Sequence, residues 1–96
     1  MLEKDLESRF RERVRQAGCK ALKFVSPGNA GVPDRIVLAP GGKACFVELK
    51  KKGRKPRPLQ MHAMQELREL GFEVYVIDSL PAVEVFSRKL EAWRWG

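Results

Sequence analysis

Asp34, Glu48 and Lys50 stand beside two apolar runs that otherwise read as buried strand, in the stretch GVPDRIVLAPGGKACFVELKKKGRKPRP from Gly31 to Pro58. Residues two apart on a strand face the same side, so Glu48 and Lys50 project from one face while Val47 and Leu49 project from the other. If Val32 to Ala39 and Ala44 to Leu49 pair as an antiparallel hairpin across the turn at Pro40 to Gly42, Asp34 falls roughly opposite Glu48 and Lys50. One carboxylate from each strand then points at a shared spot. Such carboxylates raise each other's pKa unless a cation lies between them, and a hard divalent ion with oxygen ligands, Mg²⁺ or Mn²⁺, resolves the conflict. A lysine beside them can orient a water or stabilise charge developing on a phosphate. The competing reading is an ion pair of Lys50 with Asp34 or Glu48 at the sheet edge, a common and weak arrangement.

The second strand runs directly into Lys50, Lys51, Lys52, Arg54, Lys55 and Arg57. These are six of the 19 bases, so the other 88 residues carry 13 bases against 12 acids, and the net charge of +7 sits almost entirely in this segment. Gly53 and Pro56 make it a loop. Positive charge focused where the candidate acids end suits a phosphodiester backbone, with a solvated loop as the bland alternative. Nothing in the loop offers a base-reading code, which points to selection by nucleic-acid shape.

These residues need a scaffold, and the hydrophobic periodicity supplies one. Leu2, Leu6, Phe10, Val14 and Ala17 recur at helical spacing before the natural stop Gly18. A short strand over Ala21 to Val25 follows, then the loop SPGNAG and the hairpin. A second helix, about Leu59 to Leu70, carries Ala63, Met64, Leu67 and Leu70 on one face and ends at Gly71. Phe72 to Ile77 reads as a strand buried through Val74, Val76 and Ile77. Ser79 can cap a last helix with Pro81 in its first turn, running toward Trp93. On it Val83, Phe86, Leu90 and Trp93 repeat at helical spacing and can cover either the sheet or a partner. The order is α-β-β-β-α-β-α, an α/β domain whose fourth strand needs a crossover, giving a mixed sheet flanked by helices.

At 96 residues the expectation is a single domain over 1–96. No apolar run approaches the roughly 20 residues that would span a bilayer, and the charged start reads as no secretory signal. Cys19 and Cys45 lack metal-ligand spacing and read as thiols in a reducing, cytoplasmic compartment. His62 has no Cys or His at ligand spacing, so a solvent-facing helix residue is favoured over a zinc ligand.

Pro33 and Asp34, followed after thirteen residues by Glu48, Leu49 and Lys50, resemble the PD-(D/E)xK nuclease signature. With the text around them and the following Gln60, the chain from about Glu3 to Ser79 is similar to the virus-type replication-repair nuclease (VRR-NUC) domain in its stand-alone, phage-like form. The resemblance implies a restriction-endonuclease-like fold. It implies that Asp34, Glu48 and the backbone carbonyl of Leu49 hold Mg²⁺ or Mn²⁺, that Lys50 serves catalysis, and that Gln60 takes part from the helix after the ExK strand. Gln60 is odd on its own account, one turn before Ala63 and Met64 on the apolar face, though an ordinary helix-end amide is the alternative.

The family also places a Glu on the first helix. Glu3 and Glu7 both flank the apolar stripe. Glu7 is preferred as a further catalytic and metal-binding residue, standing eleven residues before Gly18 as in related resolvases and farther from the terminus. The implied activity is metal-dependent endonucleolytic hydrolysis of DNA, on branched substrates such as four-way (Holliday) junctions in DNA repair, by a homodimer in a bacterial or phage-infected cell. No membrane or small-molecule cofactor enters. Lys51, Lys52, Arg54, Lys55 and Arg57 would grip the DNA backbone. The alternative is a non-catalytic nucleic-acid-binding module on the same fold, with metal-independent, salt-dependent binding.

Overall fold

The structure is a computed structural model that describes the backbone of residues 3–51 and 53–95 and the side chains of residues 5–51 and 53–93. Leu2, Lys52 and the Glu3 side chain lie outside the described residues. Seven elements follow in the expected order: α1 (Glu3–Gln16), β1 (Lys20–Lys23), β2 (Arg35–Ala39), β3 (Lys43–Leu49), α2 (Pro58–Glu69), β4 (Glu73–Ile77) and α3 (Leu80–Trp95). They form one four-stranded sheet in the order β1-β2-β3-β4. β1 and β2 pair antiparallel, as do β2 and β3, whereas β3 and β4 pair parallel through the α2 crossover. The sheet is thus mixed, as the helix between the third and fourth strands requires.

The pleat divides the residues of the sheet between two faces. On one, Val37, Cys45, Val47, Leu49 and Ile77 are buried against Leu6, Phe10, Val14 and Ala17 of α1 and Val83, Phe86 and Leu90 of α3. Phe10 stacks on Phe86 with ring centroids 5.8 Å apart. At the helix surface, Glu84 receives Arg9 at 3.3 Å and Arg13 at 3.0 Å, which holds its carboxyl below the usual range. The apolar stripe of α3 is therefore spent inside the molecule, with Trp93 half-buried against the same cluster, which resolves the choice between sheet and partner in favour of the sheet.

On the other face α2 covers a smaller cluster of Phe46, Val74 and Met64, flanked by Phe24, Ile36 and Leu67. α2 shelters this face only in part: Leu70 is 74% exposed, and Val76, expected to be buried, is 36% exposed. This face carries Glu48 and Lys50, two and four residues beyond Phe46 on β3.

β2 begins at Arg35, three residues later than the apolar pattern indicates, and Val32 to Asp34 form an arm before it that is not strand. Pro33 has no N–H to give a ladder, and Gly31 sits at φ +90. A Cβ on Gly31 would meet the carbonyl oxygen of Leu59 at 2.7 Å, so the arm rests directly on the first turn of α2. Gly28, at φ +82, faces open space. Gly31→Ala should lower stability by more than the roughly 1–2 kcal/mol that left-handed strain alone costs, and Gly28→Ala by that strain alone. Paired urea denaturation curves check this through the larger drop in midpoint for Gly31→Ala.

Candidate active site

The antiparallel register pairs Arg35 with Val47, which brings Asp34, one residue before β2, opposite Glu48. Two hydrogen bonds lace them together. The backbone N–H of Asp34 donates to Glu48 Oε1 at 3.1 Å, and the backbone N–H of Leu49 donates to Asp34 Oδ1 at 3.1 Å. Each carboxylate is thus fixed by the main chain of the opposite strand, more rigidly than a side-chain pair would manage.

The second Glu48 oxygen is held from two sides. Gln60 Nε2 donates to Oε2 at 2.9 Å, and Lys50 Nζ stands 3.1 Å from the same atom. Glu48 is 5% exposed and Gln60 8%, so these contacts are what make a buried carboxylate tolerable. Gln60 is itself fixed, because its Oε1 accepts the backbone N–H of Arg57 at 2.9 Å, closing half of a capping box on α2 with Pro58 at the helix start. The helix-end amide and the site residue are one and the same side chain.

Leu49 packs its side chain into the main core, so only its backbone reaches the site. Glu7 is placed differently from the other acids. Its Oε1 lies 2.8 Å from Arg35 Nη2, and Arg35 Nη1 reaches Asp34 Oδ2 at 3.5 Å and donates to the Asp34 carbonyl at 3.0 Å. Glu7 therefore meets Asp34 through a guanidinium. Among the described residues no three Asp, Glu, His or Cys side chains gather closely enough to hold a metal by themselves. His62 is exposed and lies 3.6 Å from Glu66, as expected of a surface residue. Arg35 went unnoticed in the sequence, although one signal was present: it shares a strand face with Val37 and Ala39, where a base is out of place unless it is paired.

Beyond β3 the chain turns outward. Lys50, Lys51, Arg54, Lys55 and Arg57 line an open cleft of about 490 Å³ next to Glu48. Lys52 belongs to the same run but lies outside the described residues. Lys50, which contacts Glu48, is part of the wall of this positively charged groove and links it to the acids.

The chain matches the VRR-NUC domain model over residues 2–81. It belongs to the VRR-NUC family. A solved structure described as a VRR_NUC domain superposes with a TM-score of 0.83 at 30% identity, covering 90% of this chain and 94% of that one. A phage protein, "Putative nuclease p44" of Acyrthosiphon pisum secondary endosymbiont phage 1, is 47% identical and covers 84% of this chain and 94% of the relative. The family is one of nucleases, and this VRR-NUC chain has its mixed sheet flanked by helices. No helix among the described residues is long and apolar enough to cross a membrane.

The donor set suits a hard cation. Burial raises the Asp34 carboxyl above its ordinary value, and the Glu48 charge raises it further, while the Leu49 N–H and Arg35 only partly offset this. The folded chain accordingly binds a proton at Asp34 more readily than the unfolded chain. Stability falls as pH rises from the ordinary value toward the raised one, and above both the ionised Asp34 is a liability to the metal-free fold. Asp34→Asn should raise the melting temperature of metal-free protein at neutral pH, and the gain should vanish below about pH 3.8, the ordinary value. Thermal melts in EDTA across pH check both the sign and the window.

Proposed function

We propose that this chain is a divalent-metal-dependent DNA endonuclease that hydrolyses phosphodiester bonds in branched DNA, four-way junctions above all. The observation that carries the reading is the reciprocal lacing of Asp34 and Glu48, with Lys50 both in contact with Glu48 and in the wall of the basic groove. Asp34, Glu48 and the Leu49 carbonyl would hold Mg²⁺ or Mn²⁺. Bound there, the ion supplies an activated water and neutralises charge on the scissile phosphate.

The chain's own residues do the rest. Gln60 and the Asp34 N–H hold Glu48 in one orientation, so the acids need no rearrangement when substrate arrives. Lys50 keeps its ammonium beside Glu48, where it can steady the attacking water or the phosphate charge. Lys51, Lys52, Arg54, Lys55 and Arg57 bind the sugar-phosphate backbone without reading bases, which leaves selection to the shape of the DNA. The first-helix acid is Glu7, linked to Asp34 through Arg35.

The working unit is a homodimer. A junction is resolved by two symmetry-related cuts, one domain carries one set of Asp34, Glu48 and Lys50, and a closed two-fold pair supplies the second. The stripe of α3 is not available for that interface, since Val83, Phe86 and Leu90 are buried within the chain. The place of action is the cytoplasm of a bacterial or phage-infected cell, in keeping with the phage relative.

Asp34→Asn, Glu48→Gln and Lys50→Ala should each lower junction cleavage with Mg²⁺ or Mn²⁺ by at least about a hundredfold, while DNA binding persists. Cleavage assays on four-way, flapped and linear DNA, with sedimentation at micromolar concentration, test the whole reading. Near-normal turnover by any variant would displace the site, and a strict monomer that prefers linear duplex would remove the junction reading. Charge reversal at Lys51, Arg54, Lys55 or Arg57 should flatten the dependence of log affinity on log salt by about one unit for each phosphate no longer neutralised. Fluorescence anisotropy over a salt series measures that slope.

A further inference from the structure

Arg35 is the side chain that the catalytic reading leaves unexplained. It projects from β2 on the face of Val37 and Ala39, under α1, and only 10% of its side chain is exposed. A buried guanidinium is costly unless it is paired, and an apolar residue would suit the position. Its pairing is specific. Nη2 holds Glu7 at 2.8 Å, and Nη1 holds the Asp34 carbonyl at 3.0 Å and faces Asp34 Oδ2 at 3.5 Å. The guanidinium thus fills the ground between the first-helix acid and the strand acid.

That placement sets the charge of the whole site. Glu7, Asp34 and Glu48 bring three negative charges, Arg35 and Lys50 two positive ones, all joined by contacts of 3.5 Å or less. One divalent ion turns the local sum from minus one to plus one, which a phosphate can balance. A second ion placed between Glu7 and Asp34, with ligands at about 2.0–2.1 Å, would have to take the space where the guanidinium stands. We propose that Arg35 is a positioning residue that occupies this ground with a fixed charge and thereby limits the site to one divalent ion. Glu7 then acts by orienting Arg35 and is not itself a ligand. The inference rests on the metal-dependent reading above.

The apolar variant Arg35→Met suits its surroundings and strands no buried charge, since Glu7 keeps 32% and Asp34 40% of its side chain exposed. The test is the stoichiometry of Mn²⁺ binding to the full chain without DNA, by titration calorimetry and by the electron paramagnetic resonance of free Mn²⁺. The wild type and Arg35→Lys should each take up one ion, Arg35→Met two, and the double variant Arg35→Met with Glu7→Gln one again. Two ions in the wild type would overturn the proposal while leaving metal dependence standing. So would a single ion in a folded Arg35→Met, with folding read by circular dichroism. Glu7→Gln leaves the core untouched and should still bind one ion; loss of that ion would make Glu7 a ligand and overturn the proposal whatever becomes of Arg35→Met. A wild type that binds no Mn²⁺, with or without DNA, removes the metal-dependent reading itself and this proposal with it.

Discussion

A carboxylate that is 5% exposed inside a sheet has to find hydrogen-bond donors, and in this chain the donors to Glu48 come from three different places. The head of β2 gives the Asp34 N–H, the crossover helix gives Gln60, and the end of β3 gives Lys50. Satisfying one buried charge therefore ties together the register of the hairpin, the rotation of α2 and the direction of the basic loop. A slip of one residue in β3 would turn Glu48 to the opposite face, toward the apolar side chains of α1 and α3 and away from these donors, and would turn Val47 and Leu49 out of their core. Burial cost and site geometry are thus a single constraint, and an error in the fold is also an error in the chemistry.

The two faces of the sheet divide the labour. α1 and α3 seal one face with the larger cluster, which carries most of the hydrophobic stabilisation. α2 covers the other only in part, leaving room beside Gln60 for a groove. Arg35 joins the two sides, because it pairs with Glu7 of α1 yet also touches Asp34, the acid laced to Glu48. A nuclease site built this way draws its rigidity from the sealed face and its access from the open one.

Much of this was legible in the residues themselves. The period of α1, the PGG turn and the alternation through β3 follow from local pattern, and together they place Asp34 across from Glu48. Gln60 betrayed itself as an amide near an apolar stripe. Other features depend on distant contacts and leave no local trace. Val76 continues the apolar run of β4, but its exposure depends on how far α2 reaches, which no periodicity encodes. The start of β2 moved because Gly31 leans on Leu59, a contact between segments 28 residues apart. The partner of Arg35 is a third case, because pairing with Glu7 is a matter of helix placement that the strand pattern around Arg35 cannot report.

The position of α3 has a consequence for biosynthesis. Asp34, Glu48, Lys50 and Gln60 all lie on the hairpin and α2 or beside them, a contiguous piece that precedes α3 in the chain. Yet Val37, Cys45, Val47 and Leu49 on the back of that piece share their cluster with Val83, Phe86 and Leu90, which are translated later. Until α3 has been made, the sheet lacks part of its cover and the nascent chain has little reason to hold Asp34 and Glu48 in register. Folding of the piece that carries these residues is thus coupled to the arrival of α3, which lies outside it.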